Sequence, residues 1–275
     1  LIMARTITET WKPRMRSSSI CEKSPADLHA ALRQWYGQGP GQRLLAVERA
    51  LLSSLSEDVF GYHLVQLQDY GHGLDSYQNC HIKHRSLLDQ AGLGGAQLSA
   101  WSASEQLPVA NDTVDLVALP HTLDFAFDPQ QVLRETERIL IPEGRLLILG
   151  FNPLSLWGIQ RLLLGWRGQI PWCGHFLSYR RLLDWLGLLG FDIEYTDVAA
   201  WVPPLSIAGR STRISQLDEW GRRMLPMVAG VYAVRAVKRV STIRPLKPRW
   251  MRLRVFGPRV IEPSTRNGIN KVGNQ

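Results

Sequence analysis

Cysteine is scarce in this chain: Cys21, Cys80 and Cys173 are far apart and odd in number. No CxxC spacing joins them, so neither a zinc cluster nor a disulfide framework is suggested, and a reducing cytoplasm is the compartment expected. No apolar run approaches the roughly twenty residues that a membrane span needs. The first residues also lack an apolar stretch of signal-peptide length. A P-loop, an HExxH pair, a GxSxG elbow and paired-histidine metal spacings are all missing, so no metal site is expected. Acidic residues are nearly absent from one end. From Lys238 onward, ten Lys or Arg stand against the single acid Glu262. That segment carries +9, which leaves −1 for everything before it out of the net +8.

The most informative stretch is Ala103–Gly150. Val114–Leu119 and Leu146–Leu149 are short apolar runs of the kind found in a parallel sheet covered on both faces. Between them, Asp128 can cap a helix, Pro129 suits its first turn, and Gln131 completes an Asp-x-x-Gln capping box. Val132, Leu133, Ile139 and Leu140 recur seven apart and form one apolar stripe. Ile141-Pro142-Glu143-Gly144 then ends the helix and turns the chain into the next strand. This is a βαβ unit, and ligands bind such sheets at the loops beyond the carboxyl ends of the strands.

The rest of the chain is arranged around that unit. Residues 1–25 are polar and expected to be disordered. A helix over Leu28–Tyr36 leads to Gly37–Gly41, which follows a helix rather than a strand and reads as a linker. A second helix spans Leu44–Leu55. Strands are expected at Tyr62–Leu67, His81–Leu88 and Ala96–Ala100, with a helix between the first two. An insert, 151–175, follows the fifth strand. Its helix over Leu156–Trp166 places Trp157, Leu163, Leu164 and Trp166 broadly on one side, with Arg161 and Arg167 nearby. A helix over Tyr179–Leu189 precedes strands Phe191–Val198 and Val231–Lys238. Residues 26–240 are read as one domain with its core at about 43–240, and 241–275 as a mobile basic tail.

The segment ASEQLPVANDTVDLV resembles the D-A-E-x-L-P-F-x-x-x-S-F-D-x-V pattern of class I S-adenosylmethionine-dependent methyltransferases, the branch often called methyltransferase type 11. VLRETERILIPEGRLLI is similar to that family's helix, L-x-P-G-G turn and fifth strand. The resemblance implies an α/β, Rossmann-like fold: a seven-stranded, mostly parallel sheet with helices on both faces and an antiparallel last strand. Here it would carry an N-terminal helical extension and the basic C-terminal tail. It also implies S-adenosylmethionine as cofactor and an unidentified, small or apolar methyl acceptor, which the 151–175 insert would roof, although a membrane-surface helix or a plain cover for the sheet edge would also explain that insert.

The same resemblance distributes the site residues. Gln66, Asp69, Gly71 and Gly73 occupy the first strand and its loop, where the family keeps a glycine-rich turn against the cofactor's amino-acid end. An ordinary Asp-Tyr-Gly turn explains that loop equally well. Asp89 is the acid available to the ribose hydroxyls, though it could equally begin a turn. Ser104 and Glu105 fall beside the adenine, but Ala103 stands where the family has an aspartate. Pro120 and His121 follow the fourth strand, where His121 is a candidate base or orienting group and equally a capping residue. Methyl transfer itself asks mainly for alignment, since the sulfonium is already a good leaving group. The alternative is a catalytically weak or inactive protein on this fold that binds RNA or a protein partner through its tail. RNA or an anionic surface would meet residues 238–271.

Overall fold

The computed structural model describes residues 25–90, 98–164, 170–200 and 229–240. Two helices come first, α1 (Pro25–Tyr36) and α2 (Gly39–Ser56). Then follow β1 (Phe60–Leu67), β2 (His81–Asp89), β3 (Leu98–Trp101), β4 (Val114–Pro120), α3 (Thr122–Phe125), α4 (Pro129–Ile139) and β5 (Leu140–Phe151). The insert helix α5 (Leu156–Leu164), then α6 (Tyr179–Leu188), β6 (Phe191–Ala199) and β7 (Val231–Lys238) complete the order. All seven strands form one sheet in the order β3-β2-β1-β4-β5-β7-β6. β7 runs antiparallel to both neighbours, and the other pairings are parallel.

Side-chain alternation divides the core in two. Leu116 and Ala118 of β4, with Leu147 and Leu149 of β5, pack toward α1 and α2. Their neighbours Val117, Leu119, Leu146 and Ile148 pack toward α4 and α6. A strand buried on both faces reads as an unbroken apolar run, which is why β4 and β5 were so distinct in the sequence. The Asp128 cap is also present, its Oδ1 accepting from the Gln130 and Gln131 amides at 3.0 Å. Gln131 turns instead to Arg134, so the cap is one-sided rather than a full box.

Three expectations change. The loop after β1 holds only a 3-10 turn, Leu74–Tyr77, and no α-helix lies between β1 and β2. The face that such a helix would cover is filled by α1 and α2, through Leu28, Leu32, Tyr36, Leu44, Leu51, Leu52 and Leu55. Gly39–Gly41 is the first turn of α2 rather than a linker. The Ile141–Gly144 turn is a bulge in β5: Val114 pairs with Leu140 and Leu116 with Arg145, while Glu143 sits at φ 64°.

The first two residues of the basic segment make contacts with the domain. The Lys238 ammonium is buried and meets Asp112 Oδ1 at 2.9 Å and the Glu137 and Leu140 carbonyls at 2.8 Å. Arg239 pairs with Asp192 and Glu143. Lys238 is thus held inside the domain, whereas half of the Arg239 side chain stays exposed. Residues 241–275, Trp166, Arg167 and the 1–24 segment lie outside the described residues, as do the side chains of Leu163 and Leu164. Cys80 is a free thiol, whereas Cys173 is disulfide-bonded, unlike the unpaired cysteines expected.

Candidate functional site

The strand order reverses between β1 and β4, and the crevice beyond their carboxyl ends is where open α/β sheets hold ligands. Two backbone outliers mark it: Gln68 leaves β1 at φ 63° and His121 leaves β4 at φ 55°. Left-handed geometry is costly for side chains with a Cβ, and it tends to collect at functional loops.

The loop after β1 is organised by Asp69. Its Oδ1 accepts from Gly71 N at 2.9 Å and Gly73 N at 3.0 Å. Gly71 and Gly73 both have positive φ, 132° and 64°, so the turn depends on glycine at those places. Asp69 Oδ2 meets Arg33 of α1 at 3.1 Å. Gln68 donates from Nε2 to Ser104 Oγ at 2.7 Å, drawing the expected adenine-side serine to the first loop. Gln66 is buried, donates to the Gln68 carbonyl and leaves its Oε1 without a partner among the described residues.

Asp89 ends β2 with no solvent exposure, and His29 of α1 faces it, Nδ1 to Oδ1 at 3.2 Å. Burial lowers the His29 pKa against the opposing pull of Asp89. Glu105 is turned outward, accepting from the Phe127 amide at 3.2 Å. Pro120 is buried in the β4–β5 ladder opposite Leu149. Asp69, Gln68, Asp89 and Ser104 are therefore brought together, Gln66 lies beneath them, and Glu105 and Pro120 stand apart from the group.

His121 belongs to a second, deeper cluster. Its Nδ1 meets Asp124 Oδ2 at 2.9 Å and its Nε2 meets Glu48 Oε1 at 2.9 Å. The other Glu48 oxygen meets His72 Nε2 at 2.8 Å. Glu48, His72 and His121 are wholly buried, and their donor atoms all lie within 4.8 Å of one another. Burial opposes every charge here, yet the partners prevail at two positions. Glu48 and Asp124 raise His121 to about 9, and His121 and His72 lower Glu48 to about 2. At Asp124 burial wins and the pKa is raised. His121 also stacks on Phe151, with centroids 4.0 Å apart.

Sequence reasoning missed Glu48, His72, Asp124, and the α1 residues His29 and Arg33. One signal was available. Glu48 lies on the buried stripe Leu44, Leu51, Leu52, Leu55 of α2, and a carboxylate in such a stripe demands a partner.

Comparisons with known proteins bear on the fold. Residues 61–148 match the methyltransferase domain family. An uncharacterized protein, YafS of Escherichia coli K12, is 32% identical over 148 residues, which are 54% of this chain and 60% of that protein. A ubiquinone/menaquinone biosynthesis C-methyltransferase, UbiE of Roseobacter denitrificans, is 26% identical over 133 residues, 48% of this chain and 51% of that one. The chain thus spans only about half to three-fifths of these relatives. A SAM-dependent methyltransferase of Thermotoga maritima superposes with a TM-score of 0.53 at 15% identity, covering 76% of this chain and 99% of that one. The chain has the class I S-adenosylmethionine-dependent methyltransferase fold. The helices bearing His29, Arg33 and Glu48 lie outside the matched span.

Proposed function

We propose that this protein transfers a methyl group from S-adenosylmethionine to a small or apolar acceptor. The observation that carries the reading is the pairing of Asp69, on its two-glycine turn, with Asp89 at the ends of adjacent strands. Asp89 suits two ribose hydroxyls and Asp69 an ammonium, while positive-φ glycines let backbone approach a ligand. The donor set fits the cofactor in chemical type. In this conformation, however, α1 meets both carboxylates and Tyr36 lies 3.4 Å from where a Gly71 Cβ would be. Cofactor entry therefore requires α1 to release His29 and Arg33. The bound cofactor supplies the electrophilic methyl, and the protein supplies position and exclusion of water.

His121 enters this reading as an orienting group. Both its nitrogens are already engaged by carboxylates, which leaves no lone pair for an acceptor's proton. Trp157, Trp172 and Phe176 of the insert region extend the aromatic contacts from Phe151, and an apolar acceptor would suit that wall. Calorimetric titration with S-adenosylmethionine and S-adenosylhomocysteine tests the proposal, using wild type and Asp89→Ala. Tight binding lost in the variant supports it; absence of binding at millimolar ligand sinks it.

The second reading, a binding protein without turnover, is favoured by one observation: Asp69 and Asp89 already have partners in α1. Under it, deletion of 241–275 abolishes a salt-sensitive RNA interaction while neither cofactor form binds the intact chain. Among the described residues no helix is long and apolar enough to cross a membrane.

A further inference from the structure

The Glu48 cluster uses residues that methyl transfer does not require, and it joins three segments remote in sequence. Glu48 comes from α2, His72 from the glycine turn and His121 from the end of β4. Each imidazole turns its Nε2 toward a different oxygen of the same carboxylate, at 2.8 and 2.9 Å. An ion held about 2.1 Å from each donor in a tetrahedral shell puts neighbouring donors about 3.4 Å apart. The two imidazole–carboxylate distances are close to that, a little shorter, and all three donors lie within 4.8 Å of one another, so a small shift would bring them onto one ion.

Three surrounding features favour an ion. Asp124 accepts from the far nitrogen of His121, the arrangement that fixes the tautomer of a metal-ligating imidazole. The Tyr36 hydroxyl is buried and faces Glu48, and burial first and then that carboxylate raise its pKa. His72 Nδ1 is buried and unpartnered among the described residues. A wholly apolar cover would leave no reason for so many polar groups at one enclosed point.

We propose that Glu48, His72 and His121 bind one divalent first-row transition-metal ion, with Asp124 orienting His121 and Tyr36 at hand as a further oxygen donor. Two imidazoles and a carboxylate select zinc, cobalt or iron(II) over magnesium or calcium, which prefer all-oxygen shells. The ion replaces the Nε2 protons. His121 releases its proton to solvent and keeps Nδ1–H on Asp124, while on His72 the proton moves to the unpartnered Nδ1. The site staples α2 and the glycine turn to β4 whether or not a methyl group is ever transferred. Because the donors are fully buried, loading accompanies folding.

The test uses the full chain isolated from cells grown with cobalt(II), followed by visible spectroscopy and metal analysis. About one cobalt per chain is expected, with the intense ligand-field bands of a low-coordinate nitrogen–oxygen site. His72→Ala and Glu48→Gln should lose those bands, and Asp124→Asn should weaken retention about 10–100-fold. The unfolding midpoint should rise with bound metal. Bands that survive in His72→Ala, or a metal-free chain, overturn the proposal. Should the variants fail to fold, X-ray absorption on the wild-type cobalt form decides: two imidazoles are expected, and an all-oxygen shell refutes the site. Cofactor titration is scored separately, so failure of either idea leaves the other standing.

Discussion

Arg33 Nη2 lies 3.1 Å from Asp69 Oδ2, the carboxylate oxygen left over once Oδ1 has accepted the two glycine amides. A cofactor ammonium and the Arg33 guanidinium would thus compete for one atom. Arg33→Ala is expected to tighten S-adenosylhomocysteine binding about fivefold, the equivalent of removing about 1 kcal/mol of competition. Isothermal calorimetry checks it. An unchanged or weaker constant would show that α1 does not contend with the ligand.

Stability of chelator-treated protein should depend on pH in a direction set by the buried cluster. The His121 pKa is raised from 6.5 to about 9, so its contribution is complete below pH 6.5 and disappears as pH climbs through about 9. The Glu48 pKa falls from 4.5 to about 2, so its contribution holds above pH 4.5 and is lost as pH drops through about 2. Between these limits lies a plateau. On the alkaline side the loss is on the order of 3 kcal/mol. Urea unfolding at a series of pH values measures it, and a flat profile between pH 6 and 9 would contradict the assignment.

Glu48→Gln should be among the most destabilising single changes in the protein. An amide can accept from one imidazole but presents an NH2 to the other, and the buried imidazolium loses a charge partner. A cost of about 3 kcal/mol is expected. His72→Phe should cost less, because its Nδ1 has no partner among the described residues to lose. Chemical denaturation of the metal-free variants gives the ranking, and the reverse order would mean that His72 carries the cluster.

How far the sequence reveals this molecule depends on distance along the chain. β4, α4 and β5 are legible because each is specified locally, by an apolar run, a capping aspartate or a helical stripe. The absent helix after β1 is not legible, since its place is taken by α1 and α2 from upstream. The deep cluster is harder still: Glu48 is 24 residues from His72 and 73 from His121, and no spacing rule joins them. Asp69 and Asp89 are found by family pattern, but their occupation by Arg33 and His29 requires the helix to be docked. Lys238 stands at the meeting of two readings, the end of strand Val231–Lys238 and the head of the basic segment. Its strand position is legible from the apolar run before it, and its burial comes from pairing with Phe191 across the sheet.

That placement makes Lys238 testable as part of the fold. Its ammonium donates to Asp112 Oδ1 and to the Glu137 and Leu140 carbonyls, and it also lies 3.1 Å from Glu137 Oε1. Lys238→Met keeps the aliphatic stem but leaves two carbonyls without this donor, at an expected cost of about 2 kcal/mol. If residues beyond 240 bind RNA, that affinity and its salt slope should be unchanged in the variant, because Lys238 was never available to phosphate. Urea unfolding and a filter-binding salt series on the same preparation check both halves. A shallower salt slope without loss of stability would return Lys238 to the tail.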